Sequence, residues 1–241
     1  MSPEIIRRGI VASTMQEAAA LASTGCLHGT AVVAESQTAG IGRHGHVWHS
    51  EPGTGLYVSV VLRLPLSPAE LPILTLALGL AVSEAIGLTT GLVCDLRWPN
   101  DILSSGRKVA GILVQIVDNA AIAGIGINVN HASFPDWIAQ EATSLQLATG
   151  HPVDREALLT QLLKSVADLC DLLVSAGNAA VLQLFSAASS YAQGKRVRVD
   201  LGTRVLEGVT AGLTSQGFLR VRQADGTTET VIAGGVRPAG S

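Results

Sequence analysis

The 241 residues carry 16 Lys and Arg against 19 Asp and Glu, a formal charge of −3 and a pI near 6.0. That balance gives no global attraction to phosphate backbones or anionic lipid, so neither nucleic acid nor membrane is expected as a partner. Hydrophobic residues reach 47% with only 3% aromatic, in a chain long enough for one large domain and a small one.

The N-terminus, Met1 to Gly9, carries charges and no apolar run of signal-peptide length. Cys26, Cys94 and Cys170 follow neither a disulfide framework nor a zinc spacing. Both features point to the cytoplasm. Ser13-Thr14-Met15-Gln16 reads as a capping box, with an alanine-rich helix to about Ser23. Thr30 to Gln37 reads as a strand, and a glycine-rich loop runs from Thr38 to Gly55 before a strand from Leu56 to Leu62. Ser67-Pro68-Ala69-Glu70 starts a helix by cap, proline and returning glutamate. The apolar stretch that follows, Leu71 to Leu88, is broken by Thr75, Gly79, Ser83 and Glu84 and reads as a buried helix.

Further strands are predicted at Val93 to Trp98, Val109 to Val117 and Ala121 to Val129, with a polar turn near Ser104-Ser105-Gly106. Asp154 to Ala176 and Ala179 to Ser190 read as two helices. From Gly194 onward, short valine-rich segments alternate with Gly202, Gly208, Gly212, Gly217 and Gly226, the pattern of a small β-barrel. The boundary falls near Gln193-Gly194.

Four segments carry candidate chemistry, and each has an ordinary structural explanation when taken alone. Gly40-Ile41-Gly42-Arg43-His44-Gly45 spells a dinucleotide-binding turn, but Pro52, Gly53 and Gly55 lead to a strand where that turn needs a helix. Its glycines still let backbone N–H groups approach an anion, and Arg43 adds a fixed cationic fork. His44, His46 and His49 lack a carboxylate or thiol at regular spacing, so a metal site there is weakly indicated. Pro99 stops a strand and presents Asn100 and Asp101 at its carboxyl end, where ligands of α/β sheets gather. Lys108 stands at the mouth of an apolar strand in which Gly111 implies a close approach to the backbone. Gly124-Ile125-Gly126-Ile127-Asn128-Val129-Asn130 places two amides along another apolar strand, where each must find a partner.

In order, Glu35-Ser-Gln37-Thr-Ala-Gly40-Ile-Gly42-Arg43-His-Gly45-His-Val-Trp48, Gly-Leu-Tyr57-Val-Ser59, Arg97-Trp-Pro-Asn-Asp101, Lys108-Val-Ala-Gly111-Ile-Leu and Gly-Ile-Gly-Ile-Asn128-Val-Asn resemble the biotin protein ligase family. The resemblance runs from about Ile10 to Val236. It implies an α/β (α+β) fold: a class II synthetase-like catalytic domain with a mixed sheet over 1–192, then an SH3-like small β-barrel over 193–241. It also implies that ATP activates biotin as biotinyl-5′-AMP, releasing pyrophosphate, with Mg²⁺ accompanying the nucleotide. Biotin then passes to a lysine amine of a biotin carboxyl carrier domain.

By position, the resemblance assigns Ser13, Thr14, Met15 and Gln37 to the biotin head group. Gly40, Ile41, Gly42 and Arg43 fall in the loop over biotin and phosphates. Lys108 falls beside the reacting carboxylate and phosphate, and Gly111 keeps the tail slot open. Trp48, Asn100, Asn128 and Asn130 fall to the nucleotide. Asp101 falls to Mg²⁺ and to orienting or deprotonating the attacking amine. Lys108, Arg43 and Asp101 are thus the expected catalytic set.

Ile41 stands where the family often has Arg, and His46 replaces another basic residue, so the lid carries less positive charge. The nearest rival is a lipoate or octanoate ligase or transferase of the same fold. Some relatives carry an N-terminal helix-turn-helix; here Ser13-Thr14 comes too early for one, and a monofunctional ligase is expected. A binding module without catalysis is the third reading. The sequence leaves the oligomeric state open, a homodimer included.

Overall fold

The computed structural model describes residues 4–239. Seven strands form one mixed sheet in the order β1-β2-β3-β7-β6-β5-β4. They are β1 (Ile5–Val11), β2 (Ala31–Gln37), β3 (Gly55–Leu62), β4 (Asp95–Arg97), β5 (Asp101–Ser104), β6 (Arg107–Val117) and β7 (Ala120–Asn128). Only β1 and β2 run parallel; every other neighbour is antiparallel. The long apolar runs of β3 and β7 occupy the middle, where both faces are covered.

Helix α1 (Thr14–Ser23) lies on one face, closing a small core of Met15, Ala18, Ala22, Val32, Val61, Ala120 and Ile122. Ser13 caps it, its Oγ accepting from Met15 N at 3.2 Å, but Gln16 does not complete the expected box among the described residues. On the other face pack α2 (Leu71–Thr90) and α4 (Arg155–Ala188). Both are long and apolar enough to cross a membrane by composition, yet α2 buries Ile73, Leu74, Leu76, Leu78 and Ile86 completely in the main core. Asp154 caps α4, accepting from Glu156 N and Ala157 N. The two helices expected after Asp154 meet at Gly177, whose φ of +75° and ψ of −177° break the helical path within this span. A short α3 (Leu145–Thr149) precedes it.

Two strands differ from expectation. The charged N-terminal segment is β1, an edge strand that gains its hydrogen bonds from β2 and exposes most side chains. The polar turn holds Ser105 and Gly106 both at positive φ, a hairpin geometry that returns a further strand, β5, onto β6. Trp98–Pro99 is a cis peptide between β4 and β5.

The glycine-punctuated C-terminal segment is a five-stranded antiparallel sheet in the order β11-β10-β9-β8-β12. Its strands are β8 (Gln193–Asp200), β9 (Val205–Leu213), β10 (Leu219–Arg222), β11 (Thr228–Val231) and β12 (Gly235–Pro238). Val197, Val199, Leu219 and Val221 join the same core as α2 and the large sheet. The Trp98 indole donates to Gly217 O at 2.9 Å across that junction.

Candidate active site

The register of the large sheet builds the site. Arg97, Asp101, Gly111, Gly126 and Tyr57 fall in one row across β4, β5, β6, β7 and β3. Ser59, Gly124 and Leu113 form the next row on the same face. Three glycines therefore leave a trough in the sheet between Tyr57 and Asp101. Side chains lie where Cβ atoms would be. A Cβ on Gly126 would stand 2.5 Å from Trp48 Cε2, and one on Gly124 would stand 2.6 Å from Met15 Sδ. One on Gly111 would meet Lys108 and Trp48 at 2.9 Å. Over this floor is a cavity of ≈ 400 Å³, large enough for a small ligand.

At one end, neutral polar groups interlock. Thr14 donates to Gln37 Oε1 through its N at 2.8 Å and its Oγ1 at 3.1 Å, while Ser59 Oγ donates to Thr14 Oγ1 at 2.8 Å. Gln37 N donates to Ser50 Oγ. Gln37 Oε1 is thus engaged twice, and its NH₂ has no hydrogen-bond partner among the described residues. Gly40 packs against that amide and against Trp48, behind the cavity wall.

At the other end the groups are charged. Lys108 Nζ pairs with Asp101 Oδ1 at 2.5 Å, and Arg97 donates to Asp101 Oδ2 through Nη2 and Nε. Lys108 Nζ also sits 5.3 Å from the Trp48 ring centre, over its face. Arg43 reaches from the loop to Asn100 Oδ1 at 3.3 Å and to Gly234 O at 3.2 Å in the C-terminal sheet. Burial lowers the Arg43 pKa, and the Asp101 charge opposes that. The loop closes as a tight hairpin: Ile41 bridges Val47, Gly42 N donates to His46 O, and His44 adopts φ +57°. A 3₁₀ turn at Arg43–Gly45 and then β3 follow, which disposes of the dinucleotide-binding alternative.

The structure thus brings Ser13, Thr14, Met15, Gln37, Ile41, Gly42, Arg43, Trp48, Asn100, Asp101, Lys108, Gly111 and Asn128 to one cavity. Asn130 lies apart from this cavity: its amide brackets Val153, donating to the carbonyl at 3.0 Å and accepting from the N–H at 2.8 Å. Asn128 reaches the wall, but its NH₂ donates to Thr143 O at 3.0 Å and so holds a loop backbone. Asp101 also differs from expectation. Both oxygens are gripped by cations, so a Mg²⁺ ion there would meet Arg97 and Lys108; the residue does not fit a Mg²⁺ ligand. The same ion pairs make it a weak base.

Several residues at or beneath the cavity escape a local reading. Ser59 carries the Thr14 hydroxyl, and Gly124 and Gly126 floor the trough; their only signal is two glycines at a spacing of two in an apolar strand. Glu141 and Arg237 pair at 3.0 Å at the mouth, joining a loop of the large sheet's domain to β12.

A cavity running from a neutral hydrogen-bonding cradle to a cationic end, on a mixed sheet followed by a small antiparallel sheet, defines a small-molecule-binding α/β domain. The family model described as "Biotin/lipoate A/B protein ligase family" matches residues 9–131, and that of "Biotin protein ligase C terminal domain" matches residues 193–236. A biotin–[acetyl-CoA-carboxylase] ligase of Mycobacterium tuberculosis is 34% identical over 93% of this chain and 85% of its own length. A bifunctional ligase/repressor BirA of Bacillus spizizenii is 40% identical over 68% of this chain. This chain spans about half the length of such Bacillus relatives, 52% of that one. The biotin protein ligase of Aquifex aeolicus, solved in complex with biotin and ATP, superposes with a TM-score of 0.87 at 32% identity, over 98% of this chain and 99% of that one. The chain belongs to the biotin protein ligase family.

Proposed function

We propose that this chain is an ATP-dependent biotin protein ligase. The observation that carries the reading is the glycine-floored trough joining the Thr14–Gln37–Ser59 cradle to the Lys108–Asp101–Arg97 cluster. A ureido ring needs paired donors and acceptors in an apolar slot, and the free Gln37 NH₂ and the Ser13 and Thr14 hydroxyls supply them. A dithiolane ring needs none, which favours biotin over lipoate.

The biotin carboxylate oxygen attacks the α-phosphate of ATP, forming a P–O bond as the bond to pyrophosphate breaks. Two anions must approach, and Lys108 and Arg43 offset their repulsion. Asp101 acts as a positioning residue, holding the Lys108 ammonium over the trough. The mixed anhydride would react with water, so the hairpin carrying Arg43 and Trp48 shields it. A carrier lysine, as the free amine, then attacks the acyl carbon. The amide forms, AMP leaves, and the amine's proton passes to solvent.

The chain incubated with ATP, Mg²⁺, biotin and a biotin carboxyl carrier domain is expected to add one biotinyl mass to one carrier lysine. It is also expected to catalyse biotin-dependent exchange of pyrophosphate into ATP. Equal labelling with lipoate, or no exchange at all, would count against the reading.

A further inference from the structure

Of the loop histidines, His49 belongs to a group that can share a cation. Its ring nitrogen, a Glu51 carboxylate oxygen and a ring nitrogen of His131 lie within 4.8 Å of one another. We propose that His49, Glu51 and His131 form a site for a divalent transition-metal ion of the zinc type, at the root of the glycine-rich loop.

Proton accounting at His131 supports it. The single Tyr57 hydroxyl proton goes to Glu51 O at 3.2 Å, and Tyr57 Oη accepts from Glu51 N at 3.0 Å. Its contact with His131 Nε2 at 3.5 Å is then satisfied by an Nε2–H pointing at the phenol oxygen. That tautomer leaves a lone pair on Nδ1, and Nδ1 is buried with no hydrogen-bond partner. A buried polar atom without a partner is costly in an apolar setting, and a bound metal ion would satisfy it. Tyr57 then serves as the outer partner that fixes the imidazole, the usual companion of a metal-bound histidine.

The remaining geometry agrees. His131 is fully buried, stacks on Phe134 at 5.1 Å and 17°, and has its carbonyl held by Ser144 Oγ at 2.6 Å. The His49 ring lies 5.7 Å away, and both His49 and Glu51 are accessible enough to rotate inward. Zinc bonds of about 2.0–2.2 Å need ligand atoms about 3.3–3.5 Å apart in a tetrahedron, a closure of at most about 1.5 Å from the 4.8 Å bound. Two imidazoles and one carboxylate suit zinc-like ions, with water as fourth ligand; calcium and magnesium want more oxygens. The three ligands tie residues 49–51, just beyond Trp48, to the chain after β7.

Zn²⁺ titrated calorimetrically into the metal-free chain tests this, with Co²⁺ absorption as the spectroscopic companion. One Zn²⁺ per chain is expected, with a Tm rise of about 5–10 °C at free Zn²⁺ about 100 times the Kd. Co²⁺ should show tetrahedral d–d bands without a thiolate charge-transfer band. The doubly substituted H49A/E51Q chain spares the buried His131 and should bind at least about 100-fold more weakly, whereas H44A/H46A and C26S chains should bind as the parent does. No stoichiometric Zn²⁺ binding by the parent, undiminished binding by H49A/E51Q, or loss in the H44A/H46A or C26S chain would overturn the site.

Discussion

Lys108 and Arg97 share the Asp101 carboxylate from opposite sides, Lys108 Nζ on Oδ1 at 2.5 Å and Arg97 Nη2 on Oδ2 at 2.8 Å. Arg97 is almost wholly buried, whereas the Lys108 side chain keeps 29% of its surface exposed. Removing one side of a buried pair costs about 3–5 kcal/mol because the remaining charge is stranded. Asp101→Asn is therefore expected to lower stability by about 3 kcal/mol, read from urea denaturation. Lys108→Ala leaves Asp101 with Arg97 and should cost less than about 1 kcal/mol. It should nevertheless slow adenylate formation about 100-fold, the effect of losing a charge-assisted contact at the reacting phosphate. Full adenylation by a folded Lys108→Ala chain would remove the lysine from the mechanism.

The same carboxylate predicts an acid-sensitive contribution. Burial alone would raise its pKa, but the charges and hydrogen bonds of Lys108 and Arg97 outweigh that and hold it below the ordinary aspartate value. With the folded pKa under the unfolded value of about 3.9, the stabilisation is complete above that value. It is lost as pH falls through the folded pKa. The stability difference between the parent and Asp101→Asn should therefore be constant near neutrality and shrink below about pH 4. A difference that persists unchanged to about pH 2 would show that Asp101 does not titrate through these ion pairs.

The central strands were legible because β3 and β7 are buried on both faces and read as continuous apolar runs. β1 was not, since Ile5-Ile6-Arg7-Arg8-Gly9-Ile10-Val11 has no alternation and forms only against β2. Within the site, Gln37, Arg43 and Lys108 announce themselves as polar or charged residues in unusual local settings. The trough does not, because it depends on Gly111, Gly126 and Asp101 falling in one row across three strands. The Asn130 amide is engaged by a loop residue, Val153. No local pattern in residues 120–130 shows that partner.

Gly126 tests the trough directly. Its backbone lies in a strand conformation that alanine tolerates, yet a Cβ would stand 2.5–2.8 Å from the Trp48 indole. The indole must lift, and such overpacking typically costs about 1–3 kcal/mol. Gly126→Ala should therefore weaken biotin binding about 10- to 100-fold by calorimetry and shift tryptophan emission to longer wavelength. The Trp48 Nε1 is buried without a partner, so Trp48→Phe removes an unsatisfied donor and should leave stability within about 1 kcal/mol of the parent. Unchanged biotin affinity in Gly126→Ala would place the ligand elsewhere.

Ile41 tests the lid. Its side chain lines the cavity and is 49% exposed, opposite Val47 in the hairpin that also carries Arg43. Arg43 is already drawn toward Asn100 and the Gly234 carbonyl, so the free end of the hairpin faces the phosphate region with little positive charge. Ile41→Arg would add a guanidinium there without touching the head-group cradle of Thr14 and Gln37. A charge-assisted contact is worth about 1.5–3 kcal/mol, so release of preformed biotinyl-AMP should slow about 10- to 100-fold. A chase with unlabelled biotin and ATP, sampling protein-bound adenylate over time, measures that rate. Affinity for biotin alone should stay within about twofold, because the new charge meets the phosphate and not the ureido ring. If release is unchanged while the chain stays folded, the side chain at 41 does not reach the phosphate, and the lid's retention of the adenylate must come from Arg43 and Trp48.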